Sequence, residues 1–325
     1  MAYQAGDTIL DDEYNTFVNS AVSPYGYNHF AGTGSGEYGL GQASISTVAA
    51  GGTIQASQWN TLFTGMTNIA NHTNVDTGSG AGVLASTAAV SAGDSIAIKA
   101  ALITDLAALA AQVALGSPSA SALATNAVGS STNSATWNGT STIERSVTFA
   151  DADTMRHFFN AGGKIRIDPS CVTGIDGLKD DVFNDLTTVA IGNLDLGAHA
   201  TTRSGSGETL TTNGLTNGFH DLTTSYTTLI KLTSDNSGYT SNTLEIQAKL
   251  NAAVGTATVI TIKMIAVDGD NDDTYTAGNT DGVPVDPNKA PQMTLALIEV
   301  YPTNGEGLSA NIQSLSNVEV SNSTT

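Results

Sequence analysis

Residues 243–266 read TLEIQAKLNAAVGTATVITIKMIA, and this stretch decides the fold class. Apolar side chains occupy every second position in each half: Leu244, Ile246, Ala248 and Leu250, then Ile260, Ile262, Met264 and Ala266. Alternation with a period of two is typical of strands that bury one face. The turn residues between the two halves favour antiparallel pairing.

The same signal recurs along the rest of the C-terminal region. The predicted strands of this region span 226–232, 243–250, 256–266, 293–301 and 312–320. We therefore predict an antiparallel β-sandwich over residues 219–325. Residues 139–218 form a mixed α/β segment, with strands predicted at 141–149 and 164–167 and helices at 151–160 and 179–186.

The N-terminal region carries an internal repeat. Residues 6–17, GDTILDDEYNTF, align with residues 51–62, GGTIQASQWNTL, at an offset of 45 positions. Asp12 and Ser57 stand at equivalent positions, where each predicts a helix N-cap. Tyr14 and Trp59 also align, and both are candidate protein-interface residues. An internal repeat of this kind usually marks a supersecondary unit that is used twice.

The predicted fold class of the chain is α+β, and the repeat lies in its N-terminal helical part. We expect a helical docking module over residues 1–116, with a third helix at 95–115 that ends at Gly116. Residues 117–138 are small and polar, and they predict a linker or a flexible arm.

Composition excludes several classes of partner. The chain has 11 Lys and Arg against 30 Asp and Glu, a formal net charge of −19. Such a surface neither neutralises many phosphates nor adheres to acidic lipids, so we expect no sustained nucleic-acid binding and no membrane partner. The N-terminus has no signal-peptide pattern, and the apolar window at 96–115 is interrupted by charged residues. Cys171 is the only cysteine, which excludes an intrachain disulfide.

The sequence motifs do not support an enzyme or a cofactor. Gly34, Gly36 and Gly39 fit the dinucleotide fingerprint by spacing, but no predicted strand precedes them. None of the five histidines lies in a metal-ligand motif, and no Gly-x-Ser-x-Gly sequence occurs. We therefore expect neither catalysis nor a bound cofactor.

An acidic segment after the last quoted strand is the candidate metal site. Asp268, Asp270 and Asp272 alternate as carboxylates do in a calcium loop. The sixth and twelfth positions hold Asp273 and Asn279, so the segment is not an EF-hand. Two interpretations remain open, a loose calcium site between strands and a solvated acidic loop.

A basic segment is the candidate docking patch. Arg156, Lys164 and Arg166 are three of the chain's 11 basic residues, and they fall within eleven positions. A helical projection places Arg156 outward, away from the apolar side chains of its helix. Lys164 and Arg166 share the outer face of a strand. Two interpretations are open: the three basic residues are ordinary solvated side chains, or they form a docking site for an acidic neighbouring subunit.

Two segments carry a resemblance to a known family. One links Tyr14-Asn15, YGLGQ at 38–42 and WNTL at 59–62; the other is TMRHFFNAGGKIRI at 154–167. They resemble structural proteins of marine tailed bacteriophages, particularly those that infect cyanobacteria. The run 223–308, with YTSNT at 239–243 and LALIEV at 295–300, is similar to the same group. The resemblance implies a place in the virion but no catalytic residue.

We therefore expect a structural component of a phage tail, neck or fibre, assembled in the host cytoplasm. Its partners would be copies of itself, as a trimer or hexamer, and other virion proteins. Polar tracts such as 117–138 and 193–218 bury little apolar surface alone, and strand edges short of Lys and Pro invite a partner. The alternative is a receptor module whose β-domain binds a host surface glycan. A third interpretation is a depolymerase that cleaves such a glycan.

Overall fold

The computed structural model describes residues 10–75, 84–86, 91, 99–116, 123–133, 137, 139–172, 178–269, 292–303 and 315–325. Within these ranges the chain forms six α-helices and eleven β-strands, and most strands lie in the C-terminal half. The prediction of a mixed α and β chain with antiparallel sheets is confirmed.

The elements follow the chain in this order. The helices are α1 (Asp11–Asn19), α2 (Tyr27–Phe30), α3 (Ala56–Thr73), α4 (Lys99–Val113), α5 (Ala152–Asn160) and α6 (Leu178–Asn184), which continues as a π-helical segment, Asp185–Ile191. The strands are β1 (Leu123–Thr132), β2 (Thr140–Thr148), β3 (Lys164–Cys171), β4 (Leu194–Leu196), β5 (Thr201–Arg203), β6 (Thr209–Asn213), β7 (Thr227–Thr233), β8 (Thr243–Leu250), β9 (Val259–Val267), β10 (Met293–Pro302) and β11 (Ser316–Thr324).

The chain divides into two units. The helical unit comprises Met1–Ala124, Asp153–Gly163 and Tyr301–Ile312. The sheet unit comprises Thr125–Ala152, Lys164–Val300 and Gln313–Thr325. Helix α5 therefore belongs to the helical unit, although it lies in the sequence between two strands of the sheet unit.

An aromatic and aliphatic core holds the helical unit together. Helix α3 contributes the stripe Trp59, Leu62, Phe63, Met66 and Ile69, all buried at helical spacing. From α1, the ring of Tyr14 meets Trp59 edge to face, with ring centroids 5.1 Å apart. Aromatic pairs prefer this arrangement, which adds to the stabilisation from burial alone.

The two repeat segments begin their helices 45 positions apart, α1 at Asp11 and α3 at Ala56. The predicted N-caps are wrong, because each helix begins two residues before the expected start. Asp12 and Ser57 therefore lie inside the first turn. At the start of α3, the Gln58 side chain accepts a hydrogen bond of 2.8 Å from the Gln55 N–H instead.

The predicted linker at 117–138 contains a strand. Residues 123–132 form β1, which pairs with β10 at the edge of a sheet. Most of β1 is exposed, so its sequence shows no apolar alternation, and its order comes from a distant partner strand. Residues 193–218 likewise contain β4, β5 and β6 rather than an unstructured tract.

Two sheets form the body of the sheet unit. One has the strand order β1-β10-β3-β4-β5, and the other has the order β11-β2-β9-β8-β7-β6. Ile143, Met264 and Ile246 face each other across β2, β9 and β8, as the alternation predicts. Strands from before residue 219 pair with strands from after it. The predicted boundary between a mixed segment at 139–218 and a sandwich at 219–325 is therefore not where the structure divides.

No helix in the part of the chain that the structure describes is long and apolar enough to cross a membrane.

Candidate functional sites

Arg156 lies inside the helical unit, where it holds the glycine-rich loop 32–42. Its residue is 4% exposed, and its guanidinium donates to the backbone carbonyls of Thr33 and Tyr38, and to that of Gly34 at 3.3 Å. It also pairs with the exposed carboxylate of Asp153 at 2.8 Å. Arginine suits this position, because its planar fork presents several donors in fixed directions.

Asn160, one turn further along α5, completes the attachment of the loop. Its Nδ2 donates to the carbonyls of Tyr38 at 3.0 Å and Gly39 at 3.2 Å. The loop needs glycine at Gly34, where φ is +29° and an added Cβ would lie 2.3 Å from the carbonyl oxygen of His29. Gly34 thus allows close packing within the loop, and at Gly39 an added Cβ would lie 3.0 Å from Arg156 Nη1 on α5.

The prediction that Arg156 points outward is wrong. The helical projection was correct about the apolar face of α5, since Met155, Phe158 and Phe159 are buried. The remaining face is covered by the loop 32–42, which lies more than a hundred residues away in sequence. Arg156 is therefore a buried residue that organises the backbone and does not belong to a surface docking patch.

Lys164 and Arg166 lie on one half-buried face of β3, opposite the fully buried Ile165 and Ile167. Arg166 makes a bidentate pair with Asp195 on β4, at 2.7 and 3.0 Å. This pair raises the pKa of Arg166 despite its partial burial. A subunit that docked here through Arg166 would have to share or displace an internal carboxylate.

Tyr14 and Trp59, the other interface candidates, are core residues. Tyr14 is 0% exposed and Trp59 is 3% exposed. The two aromatic residues that align in the repeat therefore stabilise the helical unit, and both rings are buried inside it.

Asp268 is buried and forms an ion pair with a lysine. The Lys179 ammonium lies 2.5 Å from its carboxylate, with both side chains out of contact with solvent. Asp270 and Asp272 lie outside the described residues. Among the residues described, no group of three or more His, Cys, Asp or Glu could hold a metal ion. The interpretation of Asp268 as part of a solvated acidic loop is wrong, because a cation from α6 draws it inward.

Arg145, which is not among the candidate residues from the sequence, joins the edge strands of the two sheets. Its guanidinium donates to Ser131 Oγ on β1 and to Asn317 Oδ1 on β11. Gly129 on β1 leaves room for it, since an added Cβ there would lie 2.9 Å from Arg145 Nη2. The available signal was a charged residue at an inward position of an alternating strand, between Ile143 and Val147.

These contacts place two open strand edges side by side. Strand β1 ends one sheet and β11 ends the other, and Asn322 on β11 donates to the Thr132 carbonyl on β1 at 3.1 Å. In the described part of the chain, no further strand pairs with either outer edge. Neither strand contains Lys or Pro, and β11 exposes Val318 and Val320. Strand β11 also carries Glu319 and a register shift between Glu319 and Ser321. An open strand edge still presents unpaired N–H and C=O groups to which another chain can pair.

Comparison of the chain with protein-family models, with curated proteins and with solved structures finds no match.

Proposed function

We propose that this chain is a structural subunit that works by assembling with copies of itself, as a tail, neck or fibre component of a tailed-phage virion. The observation that carries the proposal is the pair of adjacent open edges, β1 and β11, held together by Arg145. The resemblance of residues 154–167 and 223–308 to marine phage structural proteins supports the virion location.

The proposed architecture is a β-sandwich joined to a repeated helical module. Contacts between strands of different sheets support a face-to-face packing: Asn133 at the end of β1 donates to Ser141 on β2 at 2.8 Å, and Arg145 reaches Ser131. The starts of α1 and α3 are separated by the same 45 positions as the two repeat segments, which supports a duplicated helical unit.

The proposed partners are copies of the same chain, in a trimer or hexamer, and other virion proteins. Closed cyclic symmetry lets one chain cover its own open edges with a single kind of contact. A net charge of −19 disfavours binding to nucleic acid and to acidic lipid, so the proposal includes neither partner.

A charge placed on the edge tests the proposal. Val318 on β11 is 61% exposed, and Val318→Lys should weaken self-association at least tenfold, which corresponds to about 1.4 kcal/mol. Val189→Lys is the matched control, since Val189 is 53% exposed and lies off the sheet edges, in the π-helical segment. Sedimentation velocity over a concentration series gives both affinities. Equal weakening by both variants, or by neither, contradicts assembly through this edge.

The alternative, a host-glycan receptor module, predicts a different result. The ring of Tyr226, beside the polar face of the six-stranded sheet, has Lys249 Nζ 4.2 Å and Lys263 Nζ 4.9 Å from its centroid. Those lysines occupy ring surface that a sugar would otherwise stack upon. Selective binding on a glycan array without cleavage would favour the receptor module, and hydrolysis of host exopolysaccharide would favour a depolymerase. We expect neither.

A further inference from the structure

Two oppositely charged side chains meet in the interior of the sheet unit. Lys179 Nζ, from the first turn of α6, lies 2.5 Å from Asp268 Oδ2, which directly follows β9. Their side chains are 1% and 0% exposed. At such burial the loss of hydration offsets much of the attraction between the charges, so an ion pair is a weak way to hold these elements together.

The face of α6 that carries Lys179 continues with an aromatic side chain. Phe183 lies one helical turn after Lys179 on the same face of α6 and is fully buried. Trp137 packs on Phe183, with ring centroids 5.3 Å apart. Two residues beyond Trp137, the Gly139 carbonyl accepts a hydrogen bond of 2.7 Å from the Asp268 N–H. Condensation of the two groups into an amide would remove both charges from the interior of the unit.

A buried amide is hydrogen-bonded to the residue that follows the acid. Asn242 is 0% exposed, and its Oδ1 accepts a hydrogen bond of 2.8 Å from the N–H of Gly269, the residue after Asp268. Its Nδ2 has no hydrogen-bond partner within the described residues. Buried donors without an acceptor are rare, because each costs stability. Among the described residues this Nδ2 makes no hydrogen bond to the Asp268 carboxyl, so a donor role requires the amide to turn toward the developing oxyanion.

We propose that Lys179 and Asp268 join spontaneously in an intramolecular isopeptide bond. In this step one proton passes from Nζ to the Asp268 carboxylate, Nζ attacks Cγ, and the Asn242 amide donates to the oxyanion of the tetrahedral intermediate. The bond from Cγ to the hydroxyl oxygen then breaks, and the leaving hydroxyl takes a proton from the attacking nitrogen. The products are a neutral amide and one water, and no oxidant, metal or cofactor is consumed. The cross-link ties α6 to the end of β9, and it does not depend on the proposed assembly role.

The intact mass of the purified full-length chain tests this inference. We expect a mass below that of the sequence by one water molecule. Digestion with trypsin should yield a branched peptide that contains both Lys179 and Asp268. Lys179→Met and Asp268→Ala should have the masses of their sequences. Asp268→Asn should cross-link with loss of ammonia instead, and its product should have the same mass as the cross-linked wild type.

Two results would overturn the inference. The first is a wild-type mass equal to the sequence mass. The second is a loss of water without a branched peptide, because Asp268-Gly269 can cyclise to a succinimide and leave Lys179 open to trypsin. An Asn242→Ala variant tests the donor separately. A lower cross-linked fraction supports a role for the Asn242 amide in the step, and an unchanged fraction excludes that role.

Discussion

Replacement of Arg156 by methionine should loosen the loop 32–42 and destabilise the helical unit. Methionine replaces the aliphatic part of the side chain but lacks the guanidinium that donates to the carbonyls of Thr33 and Tyr38 and makes the longer contact to Gly34. A hydrogen bond to a charged group contributes about 1.5–3 kcal/mol, so the two closer bonds together contribute about 3–6 kcal/mol. The loop is partly exposed, so water can hydrogen-bond to the freed carbonyls and offset part of the lost free energy. We expect a loss of about 3 kcal/mol in the free energy of unfolding.

Urea unfolding followed by circular dichroism measures the loss, and hydrogen exchange locates it. The N–H groups of Gly39, Leu40 and Gly41 donate to the carbonyls of residues 30–32 across the base of the loop. Peptides that cover 32–42 should exchange faster in Arg156→Met, while peptides from β8 and β9 should exchange as in the wild type.

Two variants separate the loop contacts from the ion pair. Asp153→Ala removes only a carboxylate that is 64% exposed, and it should cost less than about 1 kcal/mol. Arg156→Lys keeps the charge without the planar fork and should fall between Asp153→Ala and Arg156→Met. Two outcomes would contradict a stabilising role for the loop contacts: Arg156→Met unfolding within about 0.5 kcal/mol of the wild type, or Asp153→Ala costing as much as Arg156→Met.

Three further substitutions test other parts of the structure. Gly34→Ala should lower the free energy of unfolding by more than about 2 kcal/mol, because its Cβ would lie 2.3 Å from a backbone carbonyl oxygen. Gly36→Ala should lower it by only about 1 kcal/mol, because Gly36 has φ +58° but open space around it. Equal unfolding free energies for the two alanine variants would contradict this. Ile246→Ala in the core of the six-stranded sheet should cost about 2–5 kcal/mol and Gln247→Ala on the outer face about 0.5 kcal/mol or less, as measured by urea unfolding. Burial raises the pKa of Glu299, so the folded chain binds this proton more tightly than the unfolded chain and loses stability as pH rises through the folded pKa. Glu299→Gln should therefore unfold at higher urea than the wild type at pH 7, with the difference shrinking below the unfolded pKa of 4.5; a difference that grows on acidification would show the opposite linkage.

The strands were predictable where the signal is local. Residues 243–250 form β8 at the predicted bounds, because alternation over eight residues records which face is buried. Strand β1 was missed, since an exposed edge strand of small polar residues carries no alternation, and its partner β10 lies far along the chain.

The candidate site residues were harder to predict because their partners are distant in sequence. Arg156 looks solvent-facing on a helical projection, and only the loop 32–42 makes its position buried. Arg145 and Glu299 both occupy inward positions of alternating strands, and that conflict between pattern and charge was a usable signal. Nothing local to Asp268 indicates that Lys179, 89 positions earlier, lies beside it.

Single-particle electron microscopy of the purified chain shows whether identical copies assemble through the β1 and β11 edges. We expect closed rings with three- or six-fold symmetry, in which β1 and β11 of each copy contact a neighbour. Single copies at all concentrations, or rings in which both edges face solvent, would contradict assembly through these edges.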